Sequence, residues 1–462
     1  MDAFDLVVLG GGTGGYTAAI RAAQLGLGAA IVEEDKVGGV CLHRGCIPTK
    51  VMLESAEALS LVRRGNKLGI EAENIRLDFS LVARRQREVV GGLHKNLQNL
   101  IRKHRIEVIT GHGRFLSPTE IAVDGIGRRL SARHVVIATG SRSKDLPGLT
   151  CDGQHILTSD HALALESLPE SVVIIGGGSI GLEFASAYLD FGCRVALVEM
   201  LPNLLPLEDT DLGAGIARLL AQRGANVLTA ARVLADGVRV YDDVVEVPVE
   251  REGEKSALRG QKVLVAVGRR GNVEDLGLEK TGVQTEGGFV RVDERMRTAE
   301  PNVYAVGDVA GGLLLAHVAA AEGTLAAEAI AGQNPEPIDY SRMPRVVYTR
   351  PRVAAVGLTE AEAKGQGRQV KLGRFPFRYN AMALIRDEPD GFVKVVTDSE
   401  SGDLLGVHIL GAGADEVIGQ GALARWLDAS AWEVAASVRP HPSLSEALGE
   451  ALQLATGGTK VE

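Results

Sequence analysis

Cys41 and Cys46 stand in the stretch Gly38-Gly-Val-Cys-Leu-His-Arg-Gly-Cys-Ile-Pro-Thr-Lys50. Two thiols this close suit thiol–disulfide exchange, in which the thiolate is the reactive form. Pro48 is a residue typical of a first helical turn. A helix starting near Cys46 would set the positive end of its dipole beside that sulfur and favour its ionisation. Lys50, four residues on, would share the same side of the helix and add a positive charge. The residues by themselves leave two other readings open. The thiols could be inert and buried, or they could be half of a zinc site, although only His43 is nearby and a structural zinc takes four ligands. A further candidate is His441, held between Pro440 and Pro442. A loop histidine is as readily a solvated side chain as a proton carrier.

The elements that must position these groups show as a repeat. Glycine makes up 57 of 462 residues, so one G-x-G-x-x-G match means little. Here there are two, Gly10, Gly12, Gly15 and Gly176, Gly178, Gly181, at an offset of 166 positions. The same offset relates Ala19 to Ala185, Gly26 to Gly192, Val32 to Val198 and Glu33 to Glu199. Apolar runs at Leu6 to Leu9 and Val172 to Ile175 precede the glycines and read as strands buried on both faces of a parallel sheet. Each is expected to lead through the glycine turn into a helix and then a second strand, Ala29 to Glu33 or Arg194 to Glu199. In such a unit the first glycine makes the turn, the second admits a pyrophosphate to the backbone, and the third lets helix and strand pack closely. The helix N-terminus receives the phosphates. The glutamate, 23 residues after the first glycine, can hold a ribose diol. Two dinucleotide sites are therefore expected. No arginine follows Glu199 until Arg218, which favours NAD over NADP at the second. A distant segment ending in Gly307-Asp308 offers a carboxylate that could bind the hydroxyls of a ribityl chain or could merely cap a turn.

Composition narrows the class. Fifty basic against 59 acidic residues give a net charge of −9, and 45% of the chain is hydrophobic. This is the profile of a folded chain of roughly three domains, with small-molecule chemistry favoured over a nucleic-acid or membrane surface. The start of the chain has no basic segment followed by a long apolar one, and the apolar window Leu313 to Ile330 contains His317, Glu322 and Glu328. A cytoplasmic location is the expectation. Four scattered cysteines, Cys41, Cys46, Cys151 and Cys193, form no secreted disulfide framework, and no metal is expected.

Taken together, GGVCLHRGCIPTK, the twin glycine fingerprints and the Gly307-Asp308 segment resemble the flavin-dependent pyridine nucleotide–disulfide oxidoreductases. The similarity runs nearly end to end. It includes GGYTAAIRAAQLG, ATG at Ala138 to Gly140, GGGSIGLE at Gly176 to Glu183, VGRR at Val267 to Arg270, VVYTRP at Val346 to Pro351 and HPSLSE at His441 to Glu446.

The resemblance implies an α/β fold of two Rossmann-like doubly wound dinucleotide-binding domains, one inserted in the other, plus a C-terminal α+β dimerisation domain. The boundaries expected are 1–146 and 272–335 for FAD, 147–271 for NAD and 336–462 for the interface. Alternating apolar residues flank a Ser401-Gly402 turn in that last region, and the final helix is expected from Asp415 to Trp426. The resemblance also implies roles. Cys41 would exchange with a substrate dithiol and Cys46 would face the flavin. Lys50 and Glu183 would pair beside it. Glu33, Asp308, Gly140 and the first glycines would hold FAD, while Glu199, Gly268 and the second glycines would hold NAD. His441, activated by Glu446, would act as acid and base on the cysteines of the other subunit of a homodimer. The substrate implied is the dihydrolipoyl group of a 2-oxo acid dehydrogenase complex, with its lipoyl domain and acyltransferase core as partners. The alternative is an NAD(P)H-dependent reductase of a glutathione-like disulfide. Two positions depart from the family pattern, Arg439 in place of a histidine and Val40 in place of a threonine. The arginine is expected to alter the basicity of His441.

Overall fold

The first apolar run ends a strand, Asp2–Leu9, whose Leu6, Val7 and Val8 are wholly buried. Its surroundings come from a computed structural model that describes residues 2–457. The chain divides into two compact units. The first comprises Met1–Val51, Ala83–Lys144 and Gly268–Ile338.

In this unit Asp2–Leu9 pairs in parallel with Ala29–Glu33 on one side and Arg128–Ile137 on the other. Glu107–Thr110 extends the parallel sheet beyond Ala29–Glu33, and Val303–Ala305 adds to Arg128–Ile137. Glu120–Asp124 and His112–Ser117 continue it as an antiparallel meander, which the sequence reading did not anticipate. The helix Thr13–Gln24 crosses between the first two strands and buries only small residues, Gly14, Gly15, Ala18, Ala19 and Ala22. That small face lets the buried helix Ala316–Ile330 approach so closely that a Cβ on Gly323 would lie 2.4 Å from the Gly14 carbonyl oxygen. The apolar window 313–330 is thus core of this unit. Among the described residues no helix is long and apolar enough to cross a membrane.

The second unit comprises Met52–Val82, Asp145–Val267 and Asp339–Glu462. It repeats the first design with a parallel sheet ordered Asn226–Leu228, Arg194–Val198, Ser171–Ile175, Lys262–Val265, Ile156–Leu157. Its crossover helix is Ser179–Phe191. A separate antiparallel sheet is ordered Arg345–Val347, Arg352–Gly357, Leu404–Gly411, Phe392–Asp398, Val370–Pro376. The turn at Ser401-Gly402 joins two of these strands, both buried throughout. The helix expected over 415–426 runs Ala414–Trp426, but it is not the last. Two more follow, Ala431–Ala436 and Glu446–Thr456. The former starts on a capping box between Ser430 and Glu433, a local signal readable from the residue types. The latter buries Leu448, Ala451, Leu452 and Ala455, the spacing of one helical face.

Candidate active site

The two glycine turns are built alike down to single hydrogen bonds. Gly10 and Gly176 have φ of +103° and +113°, a left-handed conformation that disfavours any side chain. A Cβ at either would also meet a carbonyl oxygen at 2.3 Å, that of Ala138 or Ala266. At the third glycines, Gly15 and Gly181, a Cβ would lie 2.0 Å from the oxygen of Gly10 or Gly176. The middle glycines differ. Nothing lies within 4 Å of a Cβ on Gly178, and only the Gly39 Cα, at 4.0 Å, faces Gly12. Both middle glycines precede helices that no side chain caps, so first-turn N–H groups face open space. Such a cradle fits a pyrophosphate. Glu33 Oε2 accepts from Gly11 N at 2.6 Å and Oε1 from Asp35 N at 2.9 Å. Glu199 repeats this with Gly177 N at 2.6 Å and Leu201 N at 2.8 Å. Each carboxylate is thereby held at the end of its second strand, beside the glycine turn, where a ribose diol would lie. Because the Gly15 Cβ has no room, Gly15→Ala is expected to yield protein without flavin absorbance, measured on the purified chain; retained flavin at full stoichiometry would contradict the fit.

The cysteine stretch is folded onto the first of these turns. Gly38 N donates to Gly11 O at 2.7 Å, and a Cβ on Gly39 would lie 2.7 Å from the Gly12 Cα. From there the helix Gly39–Arg44 carries Cys41, and the helix Cys46–Arg63 begins at Cys46 itself. Both cysteines are thiols here, in hydrogen-bond contact with each other. That contact, and then burial, push the Cys41 thiol well above the ordinary range, while Lys50 and a hydrogen bond to Thr13 pull the other way. Thr13 opens the helix Thr13–Gln24, so Cys41 touches the start of the fingerprint helix. Cys46, at a helix N-terminus, has the setting that favours a thiolate. Three side chains brace this stretch, of which His94 and Gln86 were missed by the sequence reading. His43 Nε2 and His94 Nδ1 each lie 3.0 Å from the Val37 carbonyl oxygen, which accepts from both, and Gln86 Nε2 donates to Pro48 O at 3.0 Å.

Asp308 lies in the turn Gly307–Ala310, and its carboxylate is not free of the protein. It accepts a hydrogen bond from Ser141 Oγ and stands 3.6 Å from Arg269 Nε. Arg269 in turn donates to Ser141 Oγ at 2.6 Å and to Ser141 O at 2.7 Å. Gly140 and Gly268 both have positive φ and open space at the Cβ position. Thr139 and Asn272 bond reciprocally across the same junction, at 2.7 Å and 2.9 Å. Three chain segments thus meet at the carboxylate.

His441 and Glu446 lie in the second unit. The imidazole is largely exposed, and its Nδ1 is 2.8 Å from Glu446 Oε1. Ser443 N donates to the other oxygen at 2.7 Å. That backbone bond, and then His441, hold the Glu446 carboxyl below its usual range. The ring therefore carries its proton on Nδ1 toward an ionised carboxylate, leaving the lone pair of Nε2 outward. Arg439 makes its hydrogen bonds away from the imidazole. Its guanidinium turns away to donate to Ser437 O at 3.0 Å and Val434 O at 3.2 Å. It satisfies carbonyls at a helix C-terminus, where cations are favoured, and makes no bond to His441. Lys50 is in the first unit. Glu183 is in the second, buried in the helix Ser179–Phe191 and accepting from Tyr348 N at 3.0 Å. Among the described residues no group of three or more His, Cys, Asp or Glu could hold a metal.

Comparison with known proteins agrees with this geometry. Residues 4–323 match the family described as pyridine nucleotide-disulphide oxidoreductase, and residues 343–452 match its dimerisation domain. A dihydrolipoyl dehydrogenase of Bacillus subtilis is 46% identical, with 98% of each chain covered. One from Zymomonas mobilis is 42% identical over 99% of this chain and 98% of its own. Among solved structures, LpdA from Mycobacterium tuberculosis superposes with a TM-score of 0.90 at 28% identity, covering 98% of this chain and 99% of that one. The chain belongs to the pyridine nucleotide-disulphide oxidoreductase family, as its motifs led us to expect. It is a flavoprotein enzyme of that class, with FAD and NAD as cofactors and a C-terminal dimerisation domain that makes it a homodimer.

Proposed function

We propose that this enzyme oxidises protein-bound dihydrolipoyl groups to the lipoyl disulfide and reduces NAD+ to NADH, serving a 2-oxo acid dehydrogenase complex in the cytoplasm. The observation that carries the reading is the folding of the Cys41–Cys46 stretch directly onto the first glycine turn. We assign 1–146 and 272–335 to FAD, held by Gly10, Gly12, Gly15, Glu33, Gly140 and Asp308. We assign 147–271 to NAD, held by Gly176, Gly178, Gly181, Glu199 and Gly268. The segment 336–462 is assigned to the dimer interface. Lys50 is assigned to a positive charge at the flavin.

The cycle begins with the cysteines as a disulfide. His441 Nε2 takes the proton of an incoming thiol, with Glu446 stabilising the imidazolium through Nδ1. The thiolate attacks Cys41 of the partner subunit, forming a mixed disulfide and expelling Cys46 of the partner subunit as a thiolate. The helix dipole lowers the basicity of that leaving sulfur, which speeds its departure. The second substrate thiol, also deprotonated, then attacks the mixed disulfide. The lipoyl disulfide leaves and both cysteines are reduced. Bound FAD supplies the two-electron relay from the cysteine pair to NAD+. The net change is one dithiol and NAD+ to one disulfide, NADH and a proton.

Anaerobic titration with dihydrolipoamide tests this. One equivalent per site should reduce the cysteine pair and raise a long-wavelength thiolate–flavin absorbance band, and NAD+ should remove the band with release of NADH. Faster reduction of glutathione disulfide by NADPH would overturn the reading in favour of another small disulfide. At the nicotinamide site, Glu199→Ala is expected to raise the KM for NAD+ roughly tenfold or more, the worth of hydrogen bonds to a charged group. An enzyme that prefers NADP+ before any substitution would contradict the role given to Glu199.

A further inference from the structure

The helix Phe79–Lys103 has one face that the mechanism does not use. Its inner side is buried at Ala83, Gln86 and Ile101. Its outer side carries Arg84, Arg85, Arg87, Lys95, Arg102 and Lys103, all exposed, against a single acid, Glu88. Arg84, Lys95 and Arg102 are separated by 11 and 7 residues, spacings that return to nearly the same helical angle. They form one line about 27 Å long, with Arg85 and Lys103 beside it. Among the described residues only Arg84 of this group has an ion-pair partner, Glu88 at 3.6 Å. A merely solvated helix face mixes both signs. In a chain of net charge −9, a single-sign stripe concentrates positive potential at one place.

That place adjoins the cysteines. The inner face of the same helix reaches the stretch on both sides of the pair, through His94 to Val37 O and through Gln86 to Pro48 O. A partner drawn to the stripe is therefore brought beside the sulfurs. We infer that the Arg84–Lys95–Arg102 stripe is the docking surface for an acidic protein domain that delivers the substrate dithiol on a flexible tether. This rests on the proposed dihydrolipoyl reading and names the residues that would receive the domain carrying the group. A tether separates the surface that docks from the sulfurs that react, so the stripe acts on encounter and leaves the chemical step alone.

The test compares two substrates of the FAD-loaded dimer, free dihydrolipoamide and an isolated acidic lipoyl domain bearing the dihydrolipoyl group. The combined variant Arg84→Glu, Lys95→Glu, Arg102→Glu should lower kcat/KM for the domain by about tenfold or more at low ionic strength. The loss should shrink as salt shortens the screening length. Turnover of free dihydrolipoamide should stay at the parent value. The combined glutamine variant should show a smaller loss of the same kind, which separates charge from folding. Equal loss on both substrates, or unchanged turnover of the domain at every salt concentration, would overturn the inference. So would binding of the parent enzyme to anionic lipid vesicles that the substitutions abolish while domain turnover is untouched. If the parent enzyme oxidises neither dithiol, the functional reading itself has failed, a result distinct from all of these.

Discussion

Cys41→Ser is expected to abolish oxidation of dihydrolipoamide, by a factor on the order of 10⁴ or more, in a protein that still carries its flavin. Serine keeps the size and hydrogen-bonding capacity of the side chain, so the contacts to Cys46 and Thr13 survive and the turn against Gly11 and Gly12 is undisturbed. What disappears is the sulfur that a substrate thiolate must attack, and no disulfide can form with Cys46. Electron transfer from NADH to an artificial quinone bypasses the cysteine pair and should persist. The two assays on one preparation give the answer. Dithiol turnover near the parent rate would refute the exchange role, and loss of flavin would point to a structural one.

His441→Gln is expected to lower dithiol oxidation by about 10²- to 10⁴-fold, the usual worth of a positioned proton carrier, and to spare the quinone reaction. Glutamine can still donate to Glu446 but cannot hold a mobile proton. The pH dependence sharpens the expectation. Ser443 N and His441 depress the Glu446 pKa, so this carboxylate stays ionised to lower pH than a free one. As pH falls, the hydrogen bond that Glu446 offers to His441 should therefore persist further down than one from an unbonded carboxylate. Equal loss of both activities would mean that the substitution damages the fold and not the proton transfer.

The parts of the site that were readable in the sequence are those written locally. The two β-α-β units carry their turn, helix and carboxylate within 24 residues each, and the structure places strands at Ala29–Glu33 and Arg194–Val198 as the pattern required. The helix at Pro48 was readable for the same reason. What escaped depends on contacts between distant segments. Nothing near Asp308 announces Ser141 or Arg269, because the three meet only when strands from separate stretches pair. His94 reaches Val37 from another helix altogether. The partners of Arg439 were also not announced by the sequence. Two positions from His441 in sequence, it is drawn off by the carbonyls that end the helix Ala431–Ala436. The meander 112–137 is a run of short strands with polar residues facing out, a pattern too weak to separate from loop.

The strand Val303–Ala305 pairs with Arg128–Ile137 in the middle of the chain, and this sets an order on synthesis. When residue 137 leaves the ribosome, the strand that closes its open edge has yet to be translated, a wait of roughly ten to thirty seconds at ordinary elongation rates. The intervening stretch that includes Ser171–Ile175 and Lys262–Val265 can complete its own parallel sheet in that interval. The nascent flavin half stays unfinished meanwhile, with unpaired backbone that invites wrong partners. Chaperone dependence should accordingly concentrate in the early product, and chains released before residue 303 should aggregate.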